Sequence, residues 1–281
     1  MAYTNFIPTI WDEAIERGLE RECVFLEDCN RKYEGKVEKQ GDQVRILGVG
    51  KPTIKSIARA NTSNDIDGPE EIEDTSVTLQ IDQIRYFNYM VGDIDKAQAV
   101  NGLMDALSQE TAEGLADSVD RYIAGLIADE NVSTYDVSAT KVTTANVLTI
   151  LDGAIQKLYE NDVKRTTEIV CTVSPRFYTI FKQAYIAKDT DNSAMLKNGK
   201  VAQYGNVSIK MSNNVYTTSD GAVDNIMIRT KRAIGFAQPL THNEAYRPEK
   251  KFADAVKGFI LFGGKVVRPA EILNINVKYT D

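Results

Sequence analysis

The sequence has little of the material from which catalytic and metal centres are built. It holds one histidine, three cysteines and seven prolines among 281 residues. His242 lies in the turn Thr241-His242-Asn243, with no nucleophile or acid at motif spacing, so a catalytic triad is not indicated. HExxH pairs, glycine-rich phosphate loops and EF-hand spacing do not occur in the sequence. We therefore expect no catalytic residue, no cofactor-binding residue and no metal ligand, and hence no enzyme.

Paired cysteines, long apolar runs and excess positive charge are missing too. Cys23, Cys29 and Cys171 are odd in number and lack CxxC spacing, which fits a reducing cytoplasm better than a disulfide framework. No stretch approaches 18 apolar residues and residues 1–10 show no signal-peptide pattern, so we expect no membrane partner. The net charge is −7, from 33 basic and 40 acidic residues. This balance disfavours tight binding to nucleic acid.

What the sequence does have is enough apolar material for a core, at 43% of residues, beginning with a periodic N-terminal segment. Its apolar residues at helical spacing are Trp11, Ile15, Leu19 and Cys23. This pattern predicts a helix that is either packed on its own subunit or serves as an arm around a neighbour.

Extended chain is predicted next, as a projecting β-arm. A strand over residues 44–47 is expected to break at Gly48-Val49-Gly50, and residues 53–58 to form a returning strand. The acidic stretch 61–74 has the composition of a loop, and alternation over residues 77–89 predicts one long strand. A single subunit gains little from such an arm, because its tip has no core to bury.

A long amphipathic helix over residues 103–129 is the strongest pattern in the chain, about 40 Å at 1.5 Å per residue. We expect it to act as a spine for the other elements. Asp93 and Asp95 precede it, and helix capping explains this pair better than a metal or acid–base site.

The second half of the chain predicts an α+β arrangement with helices on a central sheet. A helix over residues 147–159, a buried strand over residues 168–173 and a helix capped by Ser174 are followed by several strands. The last strands are expected to break at Gly263-Gly264. We expect them to pair with the long strand before the spine, so that the second domain is an insertion in the first.

Seven strings run through nearly the whole chain in an order typical of one family. They are residues 3–11 (YTNFIPTIW), 41–44 (GDQV), 93–99 (DIDKAQA), 173–175 (VSP), 205–215 (GNVSIKMSNNV), 232–238 (RAIGFAQ) and 258–269 (GFILFGGKVVRP). Through them the sequence resembles major capsid proteins of tailed bacteriophages with the Hong Kong 97-like fold, including coat proteins of the P22-coat type.

The resemblance implies an α+β fold with four regions. These are an N-terminal arm (1–32), an extended loop or β-arm (33–76), a discontinuous peripheral domain (77–141 and 240–281, with the spine helix at 103–129) and an axial domain (142–239). It also implies a non-enzymatic shell protein of the virion, assembled in the cytoplasm of a bacterial host.

The same resemblance implies the partners. Copies of the chain would form pentamers and hexamers, with a scaffolding protein, a portal and decoration proteins as further partners and packaged double-stranded DNA contacted weakly and non-specifically. The expected interface residues are Trp11, Ile15, Arg45, Lys51, Lys55, Arg59, Asp65, Asp67, Glu70, Glu71, Lys188, Asp189 and Lys197.

Three alternatives stay open at this point. An encapsulin-type nanocompartment uses the same fold but holds protein cargo. A cytoplasmic α+β enzyme using carboxylates would act as a small oligomer. A surface-array or phage-neck protein would form sheets or rings instead of closed shells.

Overall fold

The computed structural model describes residues 23–32, 43–49, 54, 56, 68, 74–92, 103–186, 203–218 and 221–279. The predicted helix before Cys23, the capping role of Asp93 and Asp95 and nearly all of the acidic loop lie outside these residues. The helices and strands of the described part are, in chain order, β1 (Gln43–Val49), β2 (Asp74–Gln80), β3 (Gln83–Gly92), α1 (Leu103–Gly125), β4 (Ser133–Asp136), α2 (Val147–Glu160), β5 (Ile169–Val173), α3 (Pro175–Ile186), β6 (Gln203–Tyr204), β7 (Val207–Met211), β8 (Tyr216–Thr217), β9 (Asp224–Thr230), β10 (Ile234–Tyr246), β11 (Ala253–Val266) and β12 (Ile272–Val277).

The spine helix α1 and a three-stranded antiparallel sheet build the first core. The sheet order is β10-β11-β3, and α1 continues into a 3-10 turn, Leu126–Ala128. Val119 and Ile123 on α1 are fully buried, and they share a cluster with Ile260 and Phe262 on β11. The apolar stripe predicted for the spine therefore has its partner in this sheet.

A seven-stranded sheet with α2 and α3 builds the second core. Its order is β4-β12-β9-β5-β7-β6, with β8 beside β9. All five residues of β5 are buried, as expected for a strand covered on both faces. Ser174 accepts the backbone N–H of Phe177 on its Oγ at 3.3 Å, and Pro175 opens α3. The predicted helix start is confirmed, and the mixed α+β class is as expected.

Residues 23–30 lie between the two cores and are hydrogen-bonded to both. The carboxylate of Asp120, on α1, accepts the backbone N–H groups of Val24 and Phe25 at 3.0 and 3.1 Å. Fully buried Arg229, on β9, donates to the backbone oxygens of Phe25 and Asp28 at 2.6 and 2.9 Å. The last part of the predicted N-terminal arm therefore packs on its own subunit.

The strands β1 and β2 form a hairpin whose base packs on the three-stranded sheet. The strands form seven residue pairs, from Gln43 with Gln80 to Val49 with Asp74. Near the base, Val44 and Leu79 are buried in a small cluster with Leu261. At about 3.4 Å per residue the strands extend about 20 Å from there. The predicted β-arm exists in the described residues as this hairpin.

Two details of the predicted arm were wrong, and a third falls almost wholly outside the described residues. β1 continues through Gly48 and Val49 instead of breaking there, because both residues pair with β2. The expected returning strand at 53–58 lies almost wholly outside the described residues, and the partner of β1 is β2. The single long strand expected over 77–89 is two strands, since Ile81 and Asp82 separate β2 from β3.

The predicted break at Gly263-Gly264 was also wrong, and Gly263 has a packing role instead. β11 runs unbroken through both residues. A Cβ on Gly263 would overlap the carbonyl oxygen of Gln80, so only glycine lets the hairpin base lie directly on β11. The glycine pair marks a close approach of two backbones and not a strand end.

The last strand pairs differently from the expectation. β11 pairs with β3 ahead of the spine as predicted, but β12 lies between β4 and β9 in the seven-stranded sheet. Its buried residues Leu273, Ile275 and Val277 contribute to the second core. Residues 272–277 therefore belong to the seven-stranded sheet, and not to the sheet that contains β10 and β11.

Candidate interaction surface

The three-stranded sheet has one face covered by α1 and one face that no described helix covers. Alternate residues of its strands point to opposite faces, as the pleat requires. On β3 this gives a regular alternation of half-buried and exposed residues from Gln83 to Met90. The same strand therefore serves the core and the surface at once.

The covered face is closed by aromatic packing and hydrogen bonds to α1. The Phe262 ring meets the Tyr122 ring edge-on, with centroids 5.3 Å apart. Tyr122 donates its hydroxyl to the backbone oxygen of Gly264 at 3.1 Å, and burial raises the pKa of this phenol. Arg85 donates from Nε to the Ser118 hydroxyl at 3.0 Å. This face belongs to the subunit interior.

The uncovered face carries a row of ring side chains across all three strands. Tyr86 on β3 lies opposite Phe259 on β11, which lies opposite His242 on β10. Tyr86 is 79% exposed, and Met90, two positions beyond Asn88 on the same strand, is 51% exposed. The His242 and Phe259 rings have centroids 5.8 Å apart. We define the open face as Ile84, Tyr86, Asn88, Met90, Phe259, Lys257, His242, Glu244 and Tyr246.

A polar row holds the side chains of the open face in position. Lys257 and Glu244 form an ion pair at 3.0 Å, and the Lys257 ammonium lies 5.0 Å from the centre of the Tyr246 ring. The Tyr246 hydroxyl is 3.2 Å from the side-chain oxygen of Asn88. Such an exposed ion pair contributes little to stability, roughly 0–1 kcal/mol. Together with the Tyr246 contacts, it holds these side chains in one arrangement on the surface.

The edge of this sheet is also open. β3 pairs with β11 on one side, and no described strand pairs with it on the other. The outer edge of an exposed strand offers unpaired backbone groups to another chain. Exposed apolar rings and an open edge together are features of a protein–protein interface.

The hairpin base covers one end of this face and so joins the two features. Leu261 points to the same side of β11 as Phe259, but it is buried beneath Val44 and Leu79. The open face and the hairpin therefore form one continuous surface of the molecule. Phe252, 88% exposed in the turn between β10 and β11, lies at the opposite end of the sheet.

Of the interface residues predicted from sequence, only Arg45 lies in the described part of the chain. It is exposed on β1, where the prediction placed it in the β-arm. The residues whose placement is outside the described ranges are Trp11, Ile15, Lys51, Lys55, Arg59, Asp65, Asp67, Glu70, Glu71, Lys188, Asp189 and Lys197. Their interface role stays a prediction.

The open face was not among the features predicted from the sequence. The run Tyr86-Phe87-Asn88-Tyr89 predicts a strand, but it does not show which of these side chains are covered by the spine helix and which are exposed. The available signal was the run of rings at consecutive positions, because alternation then sends Tyr86 outward when Phe87 packs inward.

The described residues offer no arrangement typical of catalysis. They contain no group of three or more histidine, cysteine, aspartate or glutamate side chains that could hold a metal ion. His242 lies beside Phe259 on the exposed sheet face. Burial raises the pKa of the Cys171 thiol to about 12, so this thiol is unreactive at neutral pH. No helix in the described ranges is both long and apolar enough to cross a membrane.

Solved structures with the same fold cover nearly the whole chain. A structure of Mycobacterium phage Che8 is 26% identical, with a TM-score of 0.76, and covers 90% of both chains. The capsid structure of the cyanophage P-SCSP1u is 15% identical, with a TM-score of 0.70, and covers 87% of this chain and 85% of its own. A virus-like particle from Pyrococcus furiosus is 11% identical, with a TM-score of 0.59, and covers 94% and 96%. The sequence matches no protein-family model and no curated protein.

Proposed function

We propose that this chain is the subunit of an icosahedral shell enclosing double-stranded DNA. The premise is that the chain has the Hong Kong 97-like α+β fold of tailed-phage major capsid proteins. Its activity is self-association, and it catalyses no reaction. Pentamers and hexamers would be its assembly units, and a scaffolding protein, a portal and decoration proteins would be its partners in the virion.

The observation that carries the proposal is the continuous surface of the open face and the β1–β2 hairpin. We assign its occupant as a second copy of this chain. Val44 and Leu79 are buried at the base of the hairpin, and Tyr86 and Met90 are 79% and 51% exposed within one subunit. A neighbouring copy that covers these side chains would remove their apolar area from water. Repeated around a closed symmetry, such contacts give each subunit several neighbours and a stable shell from individually weak interfaces.

The regional roles are proposed on the same basis. In the N-terminal arm, residues 1–32, the part ahead of Cys23 would bind a neighbouring subunit. Residues 33–76 would form the extended loop that lies on another subunit. The seven-stranded sheet with α2 and α3 would be the axial domain at the capsomer centre. Compared with the predicted range 142–239, it adds β4 and β12 and leaves out the first residues of β10.

An encapsulin-type compartment is the second candidate, since the virus-like particle from Pyrococcus furiosus covers 94% of this chain. The greater similarity to the Che8 structure, 26% identity with a TM-score of 0.76 against 11% and 0.59, favours the phage capsid. The surface-array, phage-neck and enzyme alternatives have no comparable observation in their favour.

Electron microscopy of the purified protein tests the proposal. We expect closed shells or capsomer rings at high protein concentration, with and without a co-expressed scaffolding protein. Particles from infected or induced cells should contain double-stranded DNA. A dispersed monomer under all these conditions would contradict the shell function, and shells filled with a protein cargo would replace it by the compartment.

A further inference from the structure

The one histidine of the chain lies in the ring row of the open face. His242 is exposed on β10, and its ring centroid lies 5.8 Å from that of Phe259 on β11. Tyr86 continues the row on β3, opposite Phe259. Histidine is the side chain that ordinarily changes its charge between pH 5 and 8. The charge of the open face can therefore change in this range at the position where the rings meet.

The charged groups beside His242 on this face already neutralise each other. Glu244 is two positions along β10, and Lys257 lies opposite Glu244 on β11. The two form an ion pair at 3.0 Å, and the Lys257 ammonium also lies 5.0 Å from the centre of the Tyr246 ring. β3 contributes the phenol of Tyr86, and phenols ordinarily carry no charge below pH 8. In the described part of this face the neighbouring carboxylate is thus engaged, so a proton on His242 adds a net positive charge.

We propose that pH controls the association of subunits through the open face, with His242 as the group that responds to it; this inference rests on the proposed function. The neutral imidazole is a flat ring beside Phe259, and a neighbouring copy can cover both rings together. The protonated imidazole must give up water when the face is covered. Removing a charge from water costs free energy unless an opposite charge replaces the water. Glu244 is held by Lys257, so the added charge stays uncompensated on this face.

The direction of the effect follows from the form of the ring that the assembled state favours. Association that favours the neutral ring releases the proton of a protonated subunit. Affinity therefore falls as pH falls through the range in which histidine titrates, and it is level above that range. Any histidine with the ordinary pKa of about 6.5 that must be neutral in the assembled state weakens one contact about tenfold at pH 5.5. A shell multiplies this effect, because every subunit makes several contacts at once.

The test measures the threshold protein concentration for shell formation by sedimentation, at about pH 7.5, 6.5 and 5.5 and constant ionic strength. His242→Gln keeps a polar side chain that cannot gain a proton in this range, and His242→Arg carries a positive charge throughout it. The matched control combines His242→Gln with Tyr216→His, which returns one histidine to the chain at an exposed position of the seven-stranded sheet. Circular dichroism checks the folding of each variant at each pH.

We expect the threshold of the wild type to rise about tenfold or more from pH 7.5 to 5.5. The ratio of the two thresholds should be near one for His242→Gln and for the matched control, whatever their absolute values, and His242→Arg should keep a high threshold at every pH. A level or falling threshold in the wild type, or the wild-type dependence in His242→Gln, would overturn the inference and leave the shell function standing, since shells still form. A wild type that does not associate even at pH 7.5 would overturn both.

Discussion

The two faces of the three-stranded sheet differ in what covers them: one packs against the spine helix, and the other is exposed and is the face on which we propose that a second copy binds. On the covered face, Phe262 is fully buried against Tyr122 of the spine helix. On the open face, three residues away on the same strand, Phe259 lies between the exposed side chains of Tyr86 and His242. Both faces are rich in rings, so composition does not separate them. What separates them is the spine helix, which removes one face from water and leaves the other exposed.

The largest expected effect comes from truncating one ring on each face. We expect Phe262→Ala to lower the free energy of unfolding by about 3–5 kcal/mol, because it opens a cavity under α1. Phe259→Ala should lower it by no more than about 1 kcal/mol, since the ring is only partly buried, and should impair assembly instead. Urea unfolding and sedimentation of the two variants check this. Equal destabilisation by both would remove the distinction between the faces.

Tyr86 tests the open face more directly. We expect Tyr86→Glu to fold with unchanged stability and to lose shell formation, because a desolvated charge would replace an aromatic contact of about 2 kcal/mol or more at each interface. Tyr86→Phe should assemble normally, and Tyr216→Glu, on β8 of the other sheet, is the matched control for an added charge. The readout is the fraction of protein sedimenting as shells. Normal shells from Tyr86→Glu would exclude Tyr86 from the interface.

Neighbouring glycines test how the hairpin is joined to the open face. We expect Gly263→Ala to lower the free energy of unfolding by about 1–3 kcal/mol, since the new methyl group overlaps the backbone oxygen of Gln80. Gly264→Ala places its Cβ 3.3 Å from side-chain atoms of Leu126 and Tyr122, which can move. It should cost less. Thermal unfolding of both variants gives the comparison, and a reversed order would contradict the close approach at Gly263.

The smallest expected effect is a pH dependence of the free energy of unfolding that comes from Asp120 on the spine helix α1. Burial raises the pKa of Asp120 above its ordinary value of 3.8, although hydrogen bonds from Val24 and Phe25 oppose the shift. The folded state therefore holds this proton more tightly than the unfolded state. The resulting stability is present below pH 3.8 and is lost as pH rises through the folded pKa.

Asp120→Asn removes this contribution and keeps a side-chain oxygen that accepts a hydrogen bond. The difference in unfolding free energy, wild type minus variant, should fall as pH rises from about 3 through the acid range. Chemical denaturation at several pH values measures it. A difference that is flat or rises with pH would show that Asp120 is not shifted in this direction.

Local patterns in the sequence predicted most of the individual elements. The apolar stripe of α1, the periodicity of α2 and the capping Ser174 before Pro175 depend on near neighbours along the chain, and all three were confirmed. The fold resemblance was confirmed as well, because it drew on the order of many short strings.

Long-range pairing could not be predicted in the same way. Nothing in the composition of β12 indicates that it lies between β4 and β9, since a buried strand looks alike in either sheet. Gly263 has the appearance of a strand break unless the chain that crosses it, at Gln80, is known. The open face needs the position of α1, which decides which alternate residues are buried. These features depend on contacts between residues far apart in sequence.

A reconstruction of the assembled shell by electron cryomicroscopy would show directly whether the open face contacts a neighbouring copy. We expect Tyr86, Met90 and Phe259 to be buried against a neighbouring copy of the chain, with the β1–β2 hairpin of one subunit in contact with another. A shell in which the open face remains exposed to solvent, and its subunits meet elsewhere, would contradict it.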